Sequence, residues 1–321
     1  MQSRQLKTLS FIFPIYNEYE SLPYLKTSLE NWLQAQSHLN VEILLIDDGS
    51  TDNSLAFLQQ WARQDKRIRV IVFSRNFGHQ AAVTAGLEHA KAEAVVIMDA
   101  DLQDPLSAVN AMITEYEKGF EIIYGQRIKR RGESVFKKLT AWLFYRLLQR
   151  AQRNLPLDTG DFRLVSRACV NAINQLPEKN RFIRGLFAWV GFPQSAVYYH
   201  REPRLYGKTK YPVSKMLKFA WQGITAFSLA PIRFVTLLGV SVSVLSFSYL
   251  CYALITYSQG KAITGWTTIV VLQSFLGGCI LLAIGIVGEY IGKIVEEVKG
   301  RPVYIKYQEF SQATPPDNDP L

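Results

Sequence analysis

Val95-Val96-Ile97-Met98-Asp99-Ala100-Asp101-Leu102-Gln103-Asp104-Pro105 is the stretch on which the fold turns. An apolar run of strand character ends in two carboxylates one residue apart, and Pro105 turns the loop toward a helix starting near Ser107. Alternate residues of an extended chain point the same way. Asp99 and Asp101 can therefore both reach one hard divalent cation, Mg2+ or Mn2+, and Gln103 continues the row with a neutral oxygen. A cation held this way keeps open positions for a substrate diphosphate. A short Asp-x-Asp turn is also an ordinary surface feature, so the rest of the chain has to decide between the two.

Upstream, the same unit recurs. Leu9 to Pro14 predicts a buried strand ending in Pro14-Ile15-Tyr16-Asn17-Glu18, followed by a helical pattern through Leu22, Leu25, Leu29 and Leu33. Val41 to Ile46 predicts a second strand, and Asp47-Asp48-Gly49-Ser50-Thr51-Asp52 supplies a turn glycine and capping oxygens before a helix carrying Leu55, Leu58 and Trp61. Ile68 to Phe73 is a third strand, leading through Ser74-Arg75-Asn76-Phe77-Gly78 into a helix over Ala81 to Ala90. Ala94 to Met98 is the fourth strand, and Ile122-Ile123-Tyr124-Gly125 a fifth. Strand, loop and helix repeated at short spacing predict an α/β fold with a mainly parallel sheet, whose ligands bind at the carboxyl ends of the strands. Tyr16, Glu18, Asp48 and Asp99 would meet there. No G-x-G-x-x-G or G-x-x-x-x-G-K-[ST] loop follows any strand, which argues against dinucleotide oxidoreductases and P-loop ATPases.

The chain has 321 residues, 48% of them hydrophobic and unevenly spread. Phe234 to Tyr257 and Ala262 to Gly288 contain no charged residue, and each exceeds the roughly 20 residues that cross a bilayer as a helix. Two transmembrane helices are expected, with Lys215, Lys218 and Arg233 before the first, Lys293, Lys299, Arg301 and Lys306 after the second, and Lys261 alone between. This bias places both ends in the cytoplasm. Met1 to Leu9 is polar, and Phe11-Ile12-Phe13 is too short for a signal core. The expected location is the inner (plasma) membrane, with the soluble part inside. A formal charge of +9 calls for an acidic partner. The basic residues lie beside apolar stretches, so anionic lipid head groups and phosphates suit them and nucleic acid does not. Cys169, Cys251 and Cys279 show no metal or disulfide spacing, and His38, His79, His89 and His200 read as ordinary surface or core residues.

Four motifs in order, Phe13-Pro14-Ile15-Tyr16-Asn17-Glu18, Asp47 to Asp52, Arg75-Asn76-Phe77-Gly78 and Asp99 to Pro105, resemble glycosyltransferase family 2. Within it they are most similar to the polyprenyl-phosphate glycosyltransferases related to dolichol-phosphate mannosyltransferase and bactoprenol glucosyltransferase. The resemblance runs from about Leu9 to about Tyr304. It implies a Rossmann-like, A-type glycosyltransferase domain that moves a sugar, glucose favoured, from a nucleotide-diphosphate sugar (a UDP-sugar favoured) to a polyprenyl phosphate such as undecaprenyl phosphate, with inversion. Pro14, Tyr16 and Glu18 match positions lining the nucleotide pocket, and Asp48 matches the carboxylate that recognises the base. Asp99, Ala100 and Asp101 match the nucleotide and metal site, with Gln103 a further ligand, while Asp47 reads as structural. Leu157-Asp158-Thr159-Gly160-Asp161-Phe162 is similar to the family's acceptor-side motif. Asp161, and less strongly Asp158, would be the general base or a group that orients the sugar. Arg201 to Tyr211 is similar to the family's R-x-x-G-x-S-K loop, with Thr209 for the serine, so Arg204 and Lys210 would reach the donor diphosphate.

Gly125 to Arg131 is a basic cluster, and Arg127 and Arg131 can grip a lipid phosphate with their guanidinium forks, whereas Arg130 suits a general membrane contact. Residues 134–153 and 213–230 have the apolar spacing and basic residues of helices lying in a membrane interface. The expected organisation is a cytoplasmic catalytic domain over 1–212, the second interface helix, a membrane hairpin over 231–292 and a cytoplasmic tail over 293–321 that is disordered after Glu309. Homo-oligomers are permitted, not required. The competing readings are a processive polysaccharide synthase, for which two spans are few and the Q-x-x-R-W motif is missing, and a membrane adaptor with a dead sugar-nucleotide fold, which would have lost Asp99, Asp101 or the basic loop.

Overall fold

Thr8–Ile15 (β1) carries apolar side chains on both faces of the strand, and only a sheet covered by helices on both sides can bury them. The computed structural model describes residues 4–128, 159–179, 181–201, 230–259 and 265–312. The chain divides into two units, Met1–Phe219 with Arg301–Leu321, and Ala220–Gly300.

In the first unit β1 is followed by α1 (Leu22–Ala35), β2 (Asn40–Asp47), α2 (Ser54–Gln64), β3 (Ile68–Phe73), α3 (His79–His89), β4 (Ala94–Ile97), α4 (Ser107–Glu117) and β5 (Ile122–Arg127). Then come β6 (Thr159–Ser166), α5 (Arg167–Asn174), α6 (Ile183–Trp189), β7 (Gln194–Tyr199) and β8 (Lys306–Ser311). The strands form one sheet in the order β7-β5-β6-β4-β1-β2-β3-β8. β3, β2, β1 and β4 run parallel, as the alternating strand and helix pattern predicts, and β5 pairs parallel with β7. β6 is inserted antiparallel between β4 and β5, and β8 is antiparallel to β3.

The two faces of β1 divide the core. Leu9, Phe11, Phe13 and Ile15 pack with Leu25 and Leu29 of α1, Leu58 and Trp61 of α2, and Val109 and Met112 of α4. Each of these fully buried apolar side chains contributes about 1.5–3 kcal/mol. On the other face α3 lies so close to β1 that a Cβ on Gly86 would come within 2.3 Å of Ile12 Cγ2. Helix α1 follows from apolar residues spaced three and four apart with Pro23 in its first turn, where a missing N–H costs nothing.

The C-terminal segment departs from expectation. Phe310 and Ser311, assigned to a disordered tail, belong to β8, and Phe310 is buried. Arg69 fixes this strand by bridging Glu309 at 2.9 Å and Glu42 at 2.8 Å, and Tyr304 stacks on Phe73 at 4.7 Å. A bridged, paired strand covers the β3 edge that would otherwise be open to pairing.

The second unit contains α7 (Ala230–Ser258) and α8 (Trp266–Val298). At about 1.5 Å per residue, the 29 residues of α7 reach about 43 Å, more than a hydrocarbon core of about 30 Å. Both contain a window long and apolar enough to cross a membrane, Pro231–Tyr249 and Val271–Val298, and 0% of either window is buried inside the protein. A soluble core helix of this composition would be covered. Thr236, Ser241, Ser248 and Thr256 each donate their hydroxyl to the carbonyl four residues earlier, which pairs these polar groups within α7, as suits a helix in lipid. α8 runs on past its charge-free stretch to Glu289, Lys293, Glu296 and Glu297.

Candidate active site

The loops after β1, β2 and β3 are tied together at the carboxyl edge by side chains their own sequences supply. Asn17, in the left-handed region at φ 53°, donates its amide to Ser50 Oγ at 3.0 Å and accepts from Thr51 N at 2.8 Å. Glu18 N reaches Ser54 Oγ at 3.1 Å. Gly49 has φ 69°, and a Cβ there would sit 2.5 Å from the Arg75 carbonyl carbon, so the turn of the second loop rests on the backbone of the third. Asp48 completes the joint: its two carboxylate oxygens accept from Phe77 N at 2.6 Å and Gly78 N at 2.9 Å. Expected as the group that reads the base, Asp48 is 3% exposed and already holds a neighbouring loop. Burial pushes both Asp47 and Asp48 above the usual carboxylate range, and Asp47 Oδ1 has no hydrogen-bond partner. Tyr16 sits at the rim with 38% of its surface open.

At the end of β4 the chain is strained. Leu102 adopts φ 50°, a costly conformation for a branched side chain, while Asp101 Oδ1 accepts from Gln103 N at 3.1 Å. β6 enters from the same edge. Its register with β4 sets Ile97 opposite Arg163, and two residues further that register brings Asp99 beside Asp161. Burial, with repulsion from Asp161, Asp101 and Asp104 outweighing attraction by His79, pushes the Asp99 carboxyl up to about 6.

Asp161 is gripped from two helices. Arg184 of α6 donates Nε to Oδ1 at 2.7 Å and Nη2 to Oδ2 at 2.9 Å, and His79, the first residue of α3, meets Oδ2 through Nε2 at 3.0 Å. Beneath it, buried Arg163 donates to the Gly160 and Asp161 carbonyls and lies over the Phe187 ring. Burial lowers the Arg163 guanidinium to about 10. Although burial opposes it, the charges and bonds of Arg184 and His79 hold Asp161 well below the usual carboxylate range. Burial likewise works against protonated His79, yet the bond and charge of Asp161, with Asp99 behind it, raise it to about 9. These contacts favour the imidazolium form of His79.

These contacts correct three expectations. Asp161, read as a general base or a group that orients the sugar, is an ion-paired anion held well below the usual carboxylate range, which works against its acting as a base. His79, read as an ordinary histidine, belongs to the site. Arg127, expected as a free fork for a lipid phosphate, donates Nε to the Tyr199 hydroxyl at 3.2 Å and lies 3.7 Å from Asp104, which also accepts from Tyr199. Arg184 and Tyr199 had no sequence signal, and Asp104 and Arg163 stand in or beside the quoted motifs without a role of their own. Asp158, Arg130, Arg131, Arg204, Lys210 and both interface helices lie outside the described residues.

Among the described residues no three His, Cys, Asp or Glu side chains converge on one metal position. The donor chemistry does fit a cation shared with substrate. Two carboxylates at the β4 edge, one of them pushed up to about 6 by burial and then by the anions around it, suit an ion that takes its remaining oxygens from phosphates and water.

A doubly covered, mainly parallel sheet with an acidic loop at the carboxyl end of a central strand defines an α/β transferase scaffold. The chain belongs to glycosyl transferase family 2, whose model matches residues 10–173, and it is a glycosyltransferase. It is 44% identical to the uncharacterized glycosyltransferase YkcC of Bacillus subtilis, over 92% of each chain. It is 36% identical to the SfII prophage-derived bactoprenol glucosyl transferase of Shigella flexneri, over 92% of this chain and 96% of that one. Among solved structures, glucosyl-3-phosphoglycerate synthase from Mycobacterium tuberculosis in complex with UDP has a TM-score of 0.46 at 18% identity, covering 69% of this chain and 79% of that one.

Proposed function

We propose that this protein transfers one sugar from a nucleotide-diphosphate sugar to a polyprenyl phosphate at the cytoplasmic face of a membrane. The observation that carries the reading is the meeting of Asp99, Asp101 and the clamped Asp161 on one strand edge, in a chain that also bears two uncovered apolar helices. The bactoprenol glucosyl transferase relative, alike over nearly its whole length, favours an undecaprenyl phosphate acceptor and glucose, hence a UDP-sugar donor. Catalytic residues 1–212 would lie on the cytoplasmic side, carried by the hairpin over 231–292, with residues 293–321 on the same side.

Tyr16, with Pro14 and Glu18, would line the nucleotide pocket, and Asp48 would take a ring N–H with the lone pairs that its loop amides leave free. Asp99, Asp101 and Gln103 would hold Mg2+ or Mn2+, whose charge would offset that of the diphosphate. Arg204 and Lys210 would reach the same diphosphate, and Arg131 the acceptor phosphate. An acceptor phosphate has a second pKa of about 6 and is largely a dianion at neutral pH. It therefore attacks sugar C1 without surrendering a proton, and Asp161 has no proton to take. Its anionic carboxylate can instead accept from sugar hydroxyls and fix C1 for attack opposite the leaving group.

The test is label transfer by the full chain in lipid, with undecaprenyl phosphate, Mg2+ and radiolabelled nucleotide sugars offered singly. One donor should deliver label to the organic extract, and a chelator should stop it until Mg2+ or Mn2+ is restored. No label from any donor, with nucleotide binding intact, overturns the acceptor.

A further inference from the structure

Asp161 accepts from His79 Nε2, so that nitrogen carries a proton. The Nδ1 nitrogen, on the far side of the same ring, has no partner among the described residues, although the side chain keeps 30% of its surface open. An imidazolium with one N–H anchored and the other on the opposite side of the ring, in a side chain that is partly open, is a preorganised donor. Its neighbours are anions that sustain its charge, Asp161 in contact and Asp99 nearby, with Arg184 the opposing cation.

We propose that His79 is a catalytic residue, donating its Nδ1–H to a phosphate oxygen of a substrate while Asp161 and Arg184 hold the ring in place. This rests on the transfer reading above. In the reaction the bond from C1 to the diphosphate oxygen breaks with its electron pair on that oxygen, and a bond from C1 to an acceptor phosphate oxygen forms. No proton moves, and His79 keeps both of its own. The phosphate it serves belongs either to the departing diphosphate, where negative charge grows, or to the acceptor, whose attack it would align.

The test compares His79→Ala and His79→Gln with wild type and with His38→Ala, an exposed histidine far along the chain. Gln keeps a donor for Asp161 and loses the charged second N–H. Full-length protein in nanodiscs with Mg2+ is titrated with uridine and guanosine diphosphates and monophosphates, and KM for undecaprenyl phosphate is measured separately. A charge-assisted bond predicts that both His79 variants weaken diphosphate binding about tenfold or more with monophosphate binding kept, or else raise KM for the lipid phosphate by a similar factor. The first result assigns His79 to the donor and the second to the acceptor; His38→Ala changes neither. If both quantities stay at wild-type values, the proposal is overturned, however far kcat or the melting temperature falls. Turnover by wild type on the same lipid reports on the transfer reading separately: its absence sinks that reading, while the diphosphate arm still decides His79.

Discussion

Replacing Asp161 by asparagine tests the electrostatic account of the site. Wild-type His79 is raised from 6.5 to about 9, which at about 1.4 kcal/mol per pH unit is a net stabilisation of the imidazolium on the order of 3 kcal/mol, left after burial and Arg184 have opposed the anions. Asparagine offers one carbonyl in place of two charged oxygens, and its NH2 group opposes an imidazolium N–H. His79 should then titrate at or below 6.5, because burial, no longer outweighed, favours the neutral ring. A group whose folded pKa is raised contributes fully below about 6.5 and loses that contribution as pH rises through about 9. Wild type should therefore lose melting temperature between pH 7 and 10 through this pair, and Asp161→Asn should start lower and lack that part of the slope. Nitrogen-15 histidine spectra in nanodiscs, with His79→Gln to assign the signal, read the titration directly. A wild-type His79 titrating near 6.5, or one unmoved by Asp161→Asn, would mean that Asp161 does not hold the ring charged and would return Asp161 to the role of base.

Gly49→Ala should lower stability by about 2 kcal/mol or more, since it combines a left-handed φ with a backbone clash at Arg75, and thermal unfolding measures it. Asp48→Ala strips the Phe77 and Gly78 amides of their acceptor, at about 1–3 kcal/mol for each group left buried, and should weaken nucleotide binding in calorimetry while Asp48→Asn falls between. Against the burial that would raise it, the bonds and charges of Arg69 and Lys306 hold Glu309 down at about 2, so its contribution is present above about 4.5 and lost as pH falls toward 2. Protection factors for amide exchange in β8, corrected for the intrinsic rate at each pH, should fall over that window in wild type, and Glu309→Gln should show low protection throughout.

The parallel half of the sheet was legible because β1 to β4 are apolar runs closed by turn residues, each followed by a helical pattern. The remaining strands lack that signature. β6 alternates Asp161 and Arg163 with apolar residues, and the polar pair concealed a buried strand. β8 is short, polar and antiparallel, and it returns to the sheet after two long helices, a pairing that no local pattern announces. The site shows the same division. Asp99, Asp101 and Asp161 stand in motifs, whereas His79 takes its meaning from a carboxylate 82 residues away and Arg184 from the same one 23 residues back. Contacts at that separation are set by topology, so the sequence showed the carboxylates and concealed the cations that define what they can do.

Single-sugar transfer is tested most directly by the mass of the lipid product formed from undecaprenyl phosphate and the donor that labels it. The account predicts a gain of one sugar residue with one phosphorus retained, and no such species with Asp99→Ala. A product with two phosphorus atoms, or a growing polysaccharide in the aqueous phase with the lipid unchanged, would contradict it.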